Sequence, residues 1–154
     1  MVAHTHTHSL LTPFPPHTRA QLEEELKQFW YPVEFTAKLT EGMMVPIELF
    51  GEQWVVFRGA DGEAACLRDE CAHRACPLSL GTVEDGRITC AYHGWQFEGD
   101  GSCAHMPSTP QCKGVGVTAL QVRDFCPFVS ERFCVAAFFC ARGVALCSLG
   151  ACVT

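Results

Sequence analysis

Cys71-Ala72-His73-Arg74-Ala75-Cys76-Pro77-Leu78 and Cys90-Ala91-Tyr92-His93-Gly94-Trp95, with sixteen residues between His73 and Cys90, are the two runs that decide how this chain of 154 residues is read. Each run supplies one thiol and one imidazole, first as Cys-x-His and then as Cys-x2-His. A structural zinc site of the finger kind sorts its donors by type, two Cys a few residues apart and then two His. Here the types are mixed within each run. That suits a two-iron, two-sulfide cluster with Cys71 and Cys90 on one iron and His73 and His93 on the other. Zinc is the rival metal for the same donors. The flanks favour the cluster: Pro77 and Leu78 close the first loop, and Gly94 lets the main chain approach an inorganic sulfide, so that N–H groups can be aimed at sulfur.

Cluster chemistry assigns expected roles to the neighbours. Cys71 and Cys90 are expected as thiolates, and His73 and His93 as neutral imidazoles whose basicity shifts on reduction, coupling electron uptake to a proton. Trp54 and Trp95 read either as electron relays or, more economically, as packing that excludes water. Tyr92 is placed to hydrogen-bond toward a sulfur. Arg74 reads as a surface cation for a partner or as the counter-ion of Asp69 and Glu70. Cys76 is expected to be a small buried thiol.

Composition narrows the class. A chain of 154 residues, 48% hydrophobic, fits one ordinary domain. A formal charge of -6 without a basic cluster argues against nucleic acid and permits docking on a cationic surface. Eleven cysteines would signal a disulfide scaffold behind a secretory signal, but no such signal is read here, so a reducing or stromal compartment is expected. Residues 1–20 hold no acid, four histidines and the turn Pro13-Phe14-Pro15-Pro16. They are expected to be a disordered leader or linker, with a loose likeness to a plastid transit peptide. His4, His6 and His8 could chelate a metal if extended, a weaker reading. Residues 21–120 are expected to be the folded unit. Residues 121–154, with Cys126, Cys134, Cys140, Cys147, Cys152 and a single Glu, form an atypical Cys-rich apolar tail. The tail reads as intron-derived, because Gln121-Val122-Arg123 can be encoded across a splice-donor consensus. Membrane association is the weaker alternative, since Arg142-Gly143 interrupts an apolar run shorter than the about 20 residues of a spanning helix.

Within 21–120, Leu22, Leu26, Phe29 and Trp30 recur at helical spacing over 21–30, with Glu23, Glu24 and Glu25 near the positive N-terminal end. Pro32 is expected to stop that helix. Runs at 43–50, 54–58 and 64–68, rich in Val, Ile and aromatics, predict strands separated by turns at Gly51-Glu52 and Asp61-Gly62. Asp85-Gly86 predicts a hairpin between 82–83 and 87–89, a second hairpin surrounds Asp100-Gly101, and 115–120 predicts a last strand. The expected class is all-β: small antiparallel sheets carrying the two ligand loops at one end, with a short N-terminal helix.

The same residues carry a family resemblance. Phe29-Trp30-Tyr31-Pro32-Val33-Glu34-Phe35, Met44-Val45-Pro46-Ile47-Glu48 and Trp54-Val55-Val56-Phe57-Arg58 lead into the first ligand run, and Gly81, Gly86-Arg87-Ile88 and Met106-Pro107-Ser108-Thr109 flank the second. Over about residues 26–120 the chain resembles the Rieske domain of the chlorophyllide a oxygenase family, within the Rieske-type non-haem iron oxygenases. Respiratory and photosynthetic Rieske proteins carry two further cysteines that clamp the loops by a disulfide. Cys76 matches one of those positions and Tyr92 the other, so that bridge is not available here.

The resemblance implies a Rieske 2Fe-2S cluster on Cys71, His73, Cys90 and His93, with single-electron transfer in the lower part of the Rieske range of about -150 to +300 mV. It also implies a ferredoxin-like donor, a chloroplast location and an oxidoreductase, a monooxygenase of chlorophyll b biosynthesis that turns a ring methyl of chlorophyllide a into a formyl group. Electrons in that family are relayed between neighbouring subunits of an oligomer. The oxygen chemistry belongs to a mononuclear Fe(II) on a 2-His-1-carboxylate triad in a larger domain. Beyond His105 this sequence holds no histidine, so the mononuclear-iron domain or subunit is expected outside the chain, which reads as truncated before it, and no catalytic residue is expected within. Two functional classes stay open, the electron-input domain of a chlorophyllide a oxygenase-like enzyme and a stand-alone Rieske-type ferredoxin. A third option is another plastid Rieske protein, acting on pheophorbide or in protein import.

Overall fold

The computed structural model describes residues 18–109, 111–125 and 134–138. In chain order its elements are helix α1 (Arg19–Leu26) and strands β1 (Trp30–Phe35), β2 (Met44–Leu49), β3 (Glu52–Arg58), β4 (Ala64–Arg68), β5 (Thr82–Glu84), β6 (Arg87–Thr89), β7 (Gln96–Phe97), β8 (Cys103–His105), β9 (Ala119–Phe125) and β10 (Cys134–Phe138). They form a six-stranded sheet, order β1-β10-β9-β4-β3-β2, and a four-stranded sheet, order β5-β6-β7-β8. All pairs are antiparallel. The expected all-β class with one short helix is therefore the observed one.

Both faces of β3 and β4 are covered, which explains why their sequences are apolar throughout rather than alternating. On one face Val55, Phe57, Ala65 and Leu67 pack with Val83, Ile88 and Phe97 of the smaller sheet, with Leu78 of the turn before it, and with Cys71 and Cys90. On the other, Trp54, Val56 and Cys66 pack with Leu39 and the half-buried Val33, Leu120 and Val122. The ligand runs thus grow directly out of the first core. Burial in the second pushes the Cys66 thiol up to about 12, so it is inert.

Several boundaries differ from expectation. The helix ends at Leu26 rather than near residue 30, and Trp30 already belongs to β1, which pairs with β10. Aromatic and β-branched residues here follow tertiary pairing over helical spacing. Pro32 sits inside the edge strand β1 beside a register shift, where a missing N–H is tolerated, and does not stop a helix. No residue of α1 is buried, and its first turn holds no acid; a Thr18–Gln21 capping box sets its start instead, Thr18 N–H donating to Gln21 Oε1 at 2.9 Å. The final residues of the expected leader therefore belong to the helix, and residues 1–17 of it lie outside the described residues.

At the other end the boundary expected at residue 120 falls inside β9. Asp124 accepts from Arg58 Nη1 at 2.5 Å and from Thr36 Oγ1 at 3.3 Å, tying residues beyond 120 into the sheet. Cys134–Phe138 pairs between β1 and β9. The reading of 139–154, like the remaining tail at 126–133, lies outside the described residues, among which no helix is long and apolar enough to cross a membrane. The turn expected at Gly51-Glu52 is Phe50-Gly51, both at positive φ, as a two-residue hairpin of primed type requires.

The β7–β8 turn offers a pH test. Ser102 donates to Asp100 Oδ1 from its hydroxyl at 2.6 Å and from its N–H at 2.8 Å, and these bonds hold the Asp100 carboxyl below its ordinary value. A carboxyl lowered in the folded state contributes stability above its unfolded pKa and loses it as pH falls through the folded one. The urea midpoint of the native chain is expected to drop more steeply than that of Asp100→Asn below about pH 4. Parallel curves from titrations across that range would show that the turn is not coupled to folding.

Candidate metal centre

The two ligand runs are built on one hydrogen-bond plan. Cys71 N–H donates to Cys76 O at 2.9 Å and Ala75 N–H to Cys71 O at 2.8 Å; Cys90 N–H donates to Trp95 O at 2.8 Å and Gly94 N–H to Cys90 O at 3.0 Å. The fifth residue of each loop reverses the chain at positive φ, Ala75 at 53° and Gly94 at 69°. Gly94 thus serves the loop reversal, and Ala75 adopts the same conformation despite its Cβ. The plan places each cysteine at the buried base of its loop: Cys71 is 3% exposed and Cys90 2%.

All four expected donors come together, in two pairs. The thiols of Cys71 and Cys90 contact one another. The imidazoles of His73 and His93 meet edge to face, ring centres 4.6 Å apart. A thiol pair and an imidazole pair held by adjacent loops match the division of donors between the two irons of a mixed-ligand cluster. His73 Nδ1 is buried and has no hydrogen-bond partner among the described residues. A metal would fill that want.

The electrostatics prepare both pairs. Burial raises Cys90, yet the N–H of Tyr92, the thiol of Cys71, the N–H of His93 and the thiol of Cys76 together hold it below the usual thiol value. Burial pushes Cys71 up, opposed by the N–H groups of His73 and Arg74 and reinforced by the Cys90 thiol. Two thiols in contact cannot both ionise without penalty, and of the pair Cys90 is held the more acidic and Cys71 the less. Desolvation, His93 and Arg74 all lower His73, keeping it a neutral imidazole with a lone pair to give. Main-chain N–H groups do point at the two cysteine sulfurs, from the two residues after each Cys-x pair.

Neighbouring residues divide differently from expectation. Trp95 stacks on His73, centres 4.7 Å apart and planes 7° apart, and is half-buried. Trp54 is 1% exposed in the other core, on the face of β3 turned away from the loops, and so packs rather than relays. Tyr92 is 59% exposed with its ring 3.8 Å from that of His93, so what reaches Cys90 from Tyr92 is its main-chain N–H and not its hydroxyl. Cys76 is half-buried rather than buried, because its thiol turns toward Cys90 and Pro77 O. Arg74 is exposed and, among the described residues, makes no ion pair with Asp69 or Glu70; Glu70 sits 3.9 Å from Arg68.

Asp69 has a structural task that its sequence position did not announce. It accepts from Ser79 N–H at 2.7 Å and Ser79 Oγ at 2.6 Å, while its own N–H donates to Gln53 O at 3.0 Å. The first ligand loop is thereby closed at its base across the turn Leu78–Leu80 and tied to β3. Asp69→Ala should destabilise the fold by about 1–3 kcal/mol, the cost of a half-buried N–H left without its acceptor. A chelator should also strip iron faster from the loaded variant; equal urea midpoints and equal stripping rates would refute the brace.

A groove of about 510 Å³ opens beside the centre, lined by Arg68, Cys71, His73 and Arg74 on one side and by Val117 and Thr118 on the other.

Comparison with known proteins places these features. A family model described as the Rieske [2Fe-2S] domain matches residues 29–125. Chlorophyllide a oxygenase of Chlamydomonas reinhardtii is 60% identical over 100 residues, 65% of this chain and 16% of the relative. The Arabidopsis thaliana enzyme of that name is 56% identical over 101 residues, 66% and 18%. Protein TIC 55 of Arabidopsis thaliana is 36% identical over 99 residues, 62% of this chain and 18% of the relative. Among solved structures, the QL mutant of NdmA of Pseudomonas putida with theobromine superposes with a TM-score of 0.63 at 32% identity, over 76% of this chain and 36% of the other. This chain matches only about a sixth of the length of those curated relatives.

Proposed function

The chain belongs to the Rieske [2Fe-2S] domain family, and from that premise we propose that Cys71, His73, Cys90 and His93 hold a Rieske cluster that serves as the electron-input centre of a chlorophyllide a oxygenase-like enzyme. The observation that carries the finer part is the gap in identity, 60% to a chlorophyllide a oxygenase against 36% to TIC 55 over nearly the same length. A chloroplast location, a ferredoxin-like donor and a mononuclear-iron domain or subunit as acceptor belong to the same reading, as does the oxidation of a chlorophyllide ring methyl in the acceptor.

When bound, such a cluster accepts and returns one electron at a potential set by its ligands and by hydrogen bonds to sulfur. The residues of this chain do the rest. Main-chain N–H groups of Tyr92 and His93 stabilise the negative sulfur of Cys90, which favours the reduced state. Trp95 covers His73 and keeps water from it. His93 is exposed, so its edge is the short exit for an electron. Arg74 offers an exposed cation beside that exit for an anionic partner surface.

The test is supply in trans. The loaded chain, reduced by a plant-type ferredoxin, is mixed with a chlorophyllide a oxygenase whose own Rieske histidines are replaced by alanine, with chlorophyllide a and O2. Formation of the formyl product is expected. A normally reduced chain that yields none would favour a stand-alone carrier serving other oxygenases.

A further inference from the structure

We propose that Cys103 and Cys112 are a dithiol that closes to a reversible disulfide and so clamps the wall of the groove beside the candidate metal centre. The proposal does not depend on which metal the centre holds.

Cys103 lies on β8, half-buried and packed against the core that contains Cys71 and Cys90. Cys112 is half-buried in the turn that follows, and its thiol lies close enough to that of Cys103 to help raise it, while the Cys103 thiol itself donates to His105 O at 3.6 Å. The backbones are held in register through one residue: Cys103 N–H donates to Val115 O at 3.0 Å and Val115 N–H donates to Cys112 O at 3.1 Å. Ser102 and Gly116 bridge immediately beside them, and Val117 N–H donates to Gly101 O at 2.8 Å. Neighbouring thiols on main chain held in register by these bonds can form a disulfide, S–S about 2.05 Å, with side-chain rotation and little backbone movement.

The segment that this bond would anchor is functional ground. Gly116, Val117 and Thr118 form one wall of the groove whose other wall is Cys71 to Ala75, and Thr118 O accepts from Arg68 N–H at 2.7 Å. The loop-to-loop disulfide of other Rieske proteins is unavailable here, since Tyr92 stands opposite Cys76. A second dithiol on the adjacent strand and turn can restrain the same neighbourhood from the opposite side.

The oxidant is a low-molecular-mass disulfide. Cys112, on the turn rather than in a strand, attacks as thiolate, forming a mixed disulfide and expelling one small thiol. Cys103 then attacks Sγ of Cys112, forming the protein S–S bond and expelling the second small thiol. Two S–H bonds are lost, the protein is oxidised by two electrons, and one small disulfide becomes two thiols that carry away the two protons.

The full chain, metal-loaded, is equilibrated in oxidised and reduced glutathione at graded ratios, acid-quenched, alkylated and mapped by mass spectrometry. Expected is a Cys103–Cys112 linked peptide, lighter by two hydrogens than the reduced pair, that appears with oxidant and disappears with dithiothreitol. In Cys112→Ser no such link forms, and Cys103 stays alkylatable. Trypsin should cut after the exposed Lys113 several-fold more slowly in the oxidised native chain than in the reduced one. Free alkylation of both cysteines at every ratio, or linkage of Cys103 elsewhere, would overturn the dithiol. Equal cleavage of the two states would overturn the clamp. The mapping is made on the native sequence, so it decides even where Cys112→Ser folds poorly.

Discussion

Replacing His73 and His93 together by cysteine should lower the reduction potential of the reconstituted centre by several hundred millivolts, from within about -150 to +300 mV toward about -400 mV. The reason is charge. Two neutral imidazoles become two anionic thiolates, and added negative charge next to the iron disfavours a further electron. The His73 imidazole is kept neutral by desolvation, His93 and Arg74, so the substitution changes the state the native site is built to hold. Redox titration followed by circular dichroism reads the shift. A parallel pair, His73→Ala and His93→Ala, leaves one iron with an incomplete ligand set, and bound iron per chain should fall to near zero in each. A potential unchanged in the double cysteine variant, or full iron in both alanine variants, would remove these histidines from the centre. The alanine arm remains informative if shorter cysteine side chains fail to close the site.

Gly86→Ala should be among the most destabilising single methyls in the chain, at about 2–5 kcal/mol, and it should uncouple the smaller sheet from the larger. Gly86 holds φ at 71° in the β5–β6 turn, a conformation that costs an L-residue about 1–2 kcal/mol. Space is the larger problem. A Cβ there would lie 2.0 Å from Ala60 N and 2.3 Å from Ala60 Cα, both main-chain atoms of the β3–β4 turn. Backbone cannot rotate out of the way as a side chain can, so the hairpin must lift, and such overpacking costs a further about 1–3 kcal/mol. Gly62→Ala is the control. Its φ is 80° but nothing stands within 4 Å of the place its methyl would take, so only the conformational cost of about 1–2 kcal/mol applies. Urea unfolding of the two variants, with bound iron per chain, separates the effects. Equal losses would mean that the contact with Ala60 yields freely and that the hairpin is not seated as described.

The parts legible in the sequence are those carried by local chemistry. Ala64–Arg68 was readable as a strand to its ends, and Asp85-Gly86 as a two-residue hairpin turn, because aspartate and glycine tolerate the positive φ that turn demands. The candidate donors in the two runs were readable because Cys and His in mixed pairs serve few purposes besides metal, and the structure brings them together as a thiol pair and an imidazole pair. Their shared loop geometry was less so. Ala75 takes a left-handed conformation without being glycine, held there by the bonds of Cys71 with Ala75 and Cys76, and no local signal marks it.

Edges and partners were misread where distant chain decided the outcome. Trp30 has helical spacing relative to Leu22 and Leu26, yet pairing with β10 draws it into a strand. Asp69 beside Arg74 suggests an ion pair in sequence; Ser79, brought under the loop by the turn Leu78–Leu80, claims it instead. Asp124 stands in the stretch that composition set apart from the folded unit, and its bonds to Arg58 and Thr36, with the pairing of β9 to β10, reveal that β9 runs through the expected boundary.

The sequence by itself determined the all-β class and the family resemblance and singled out a candidate donor set, since ligand type, turn chemistry and β-branched runs act over a few residues. Only the tertiary structure decided which of the two thiols is the more acidic, which tryptophan stacks on His73, and that Cys103 lies beside Cys112. Those depend on burial and on contacts between residues far apart in the chain, and a linear order of residues does not contain such distances.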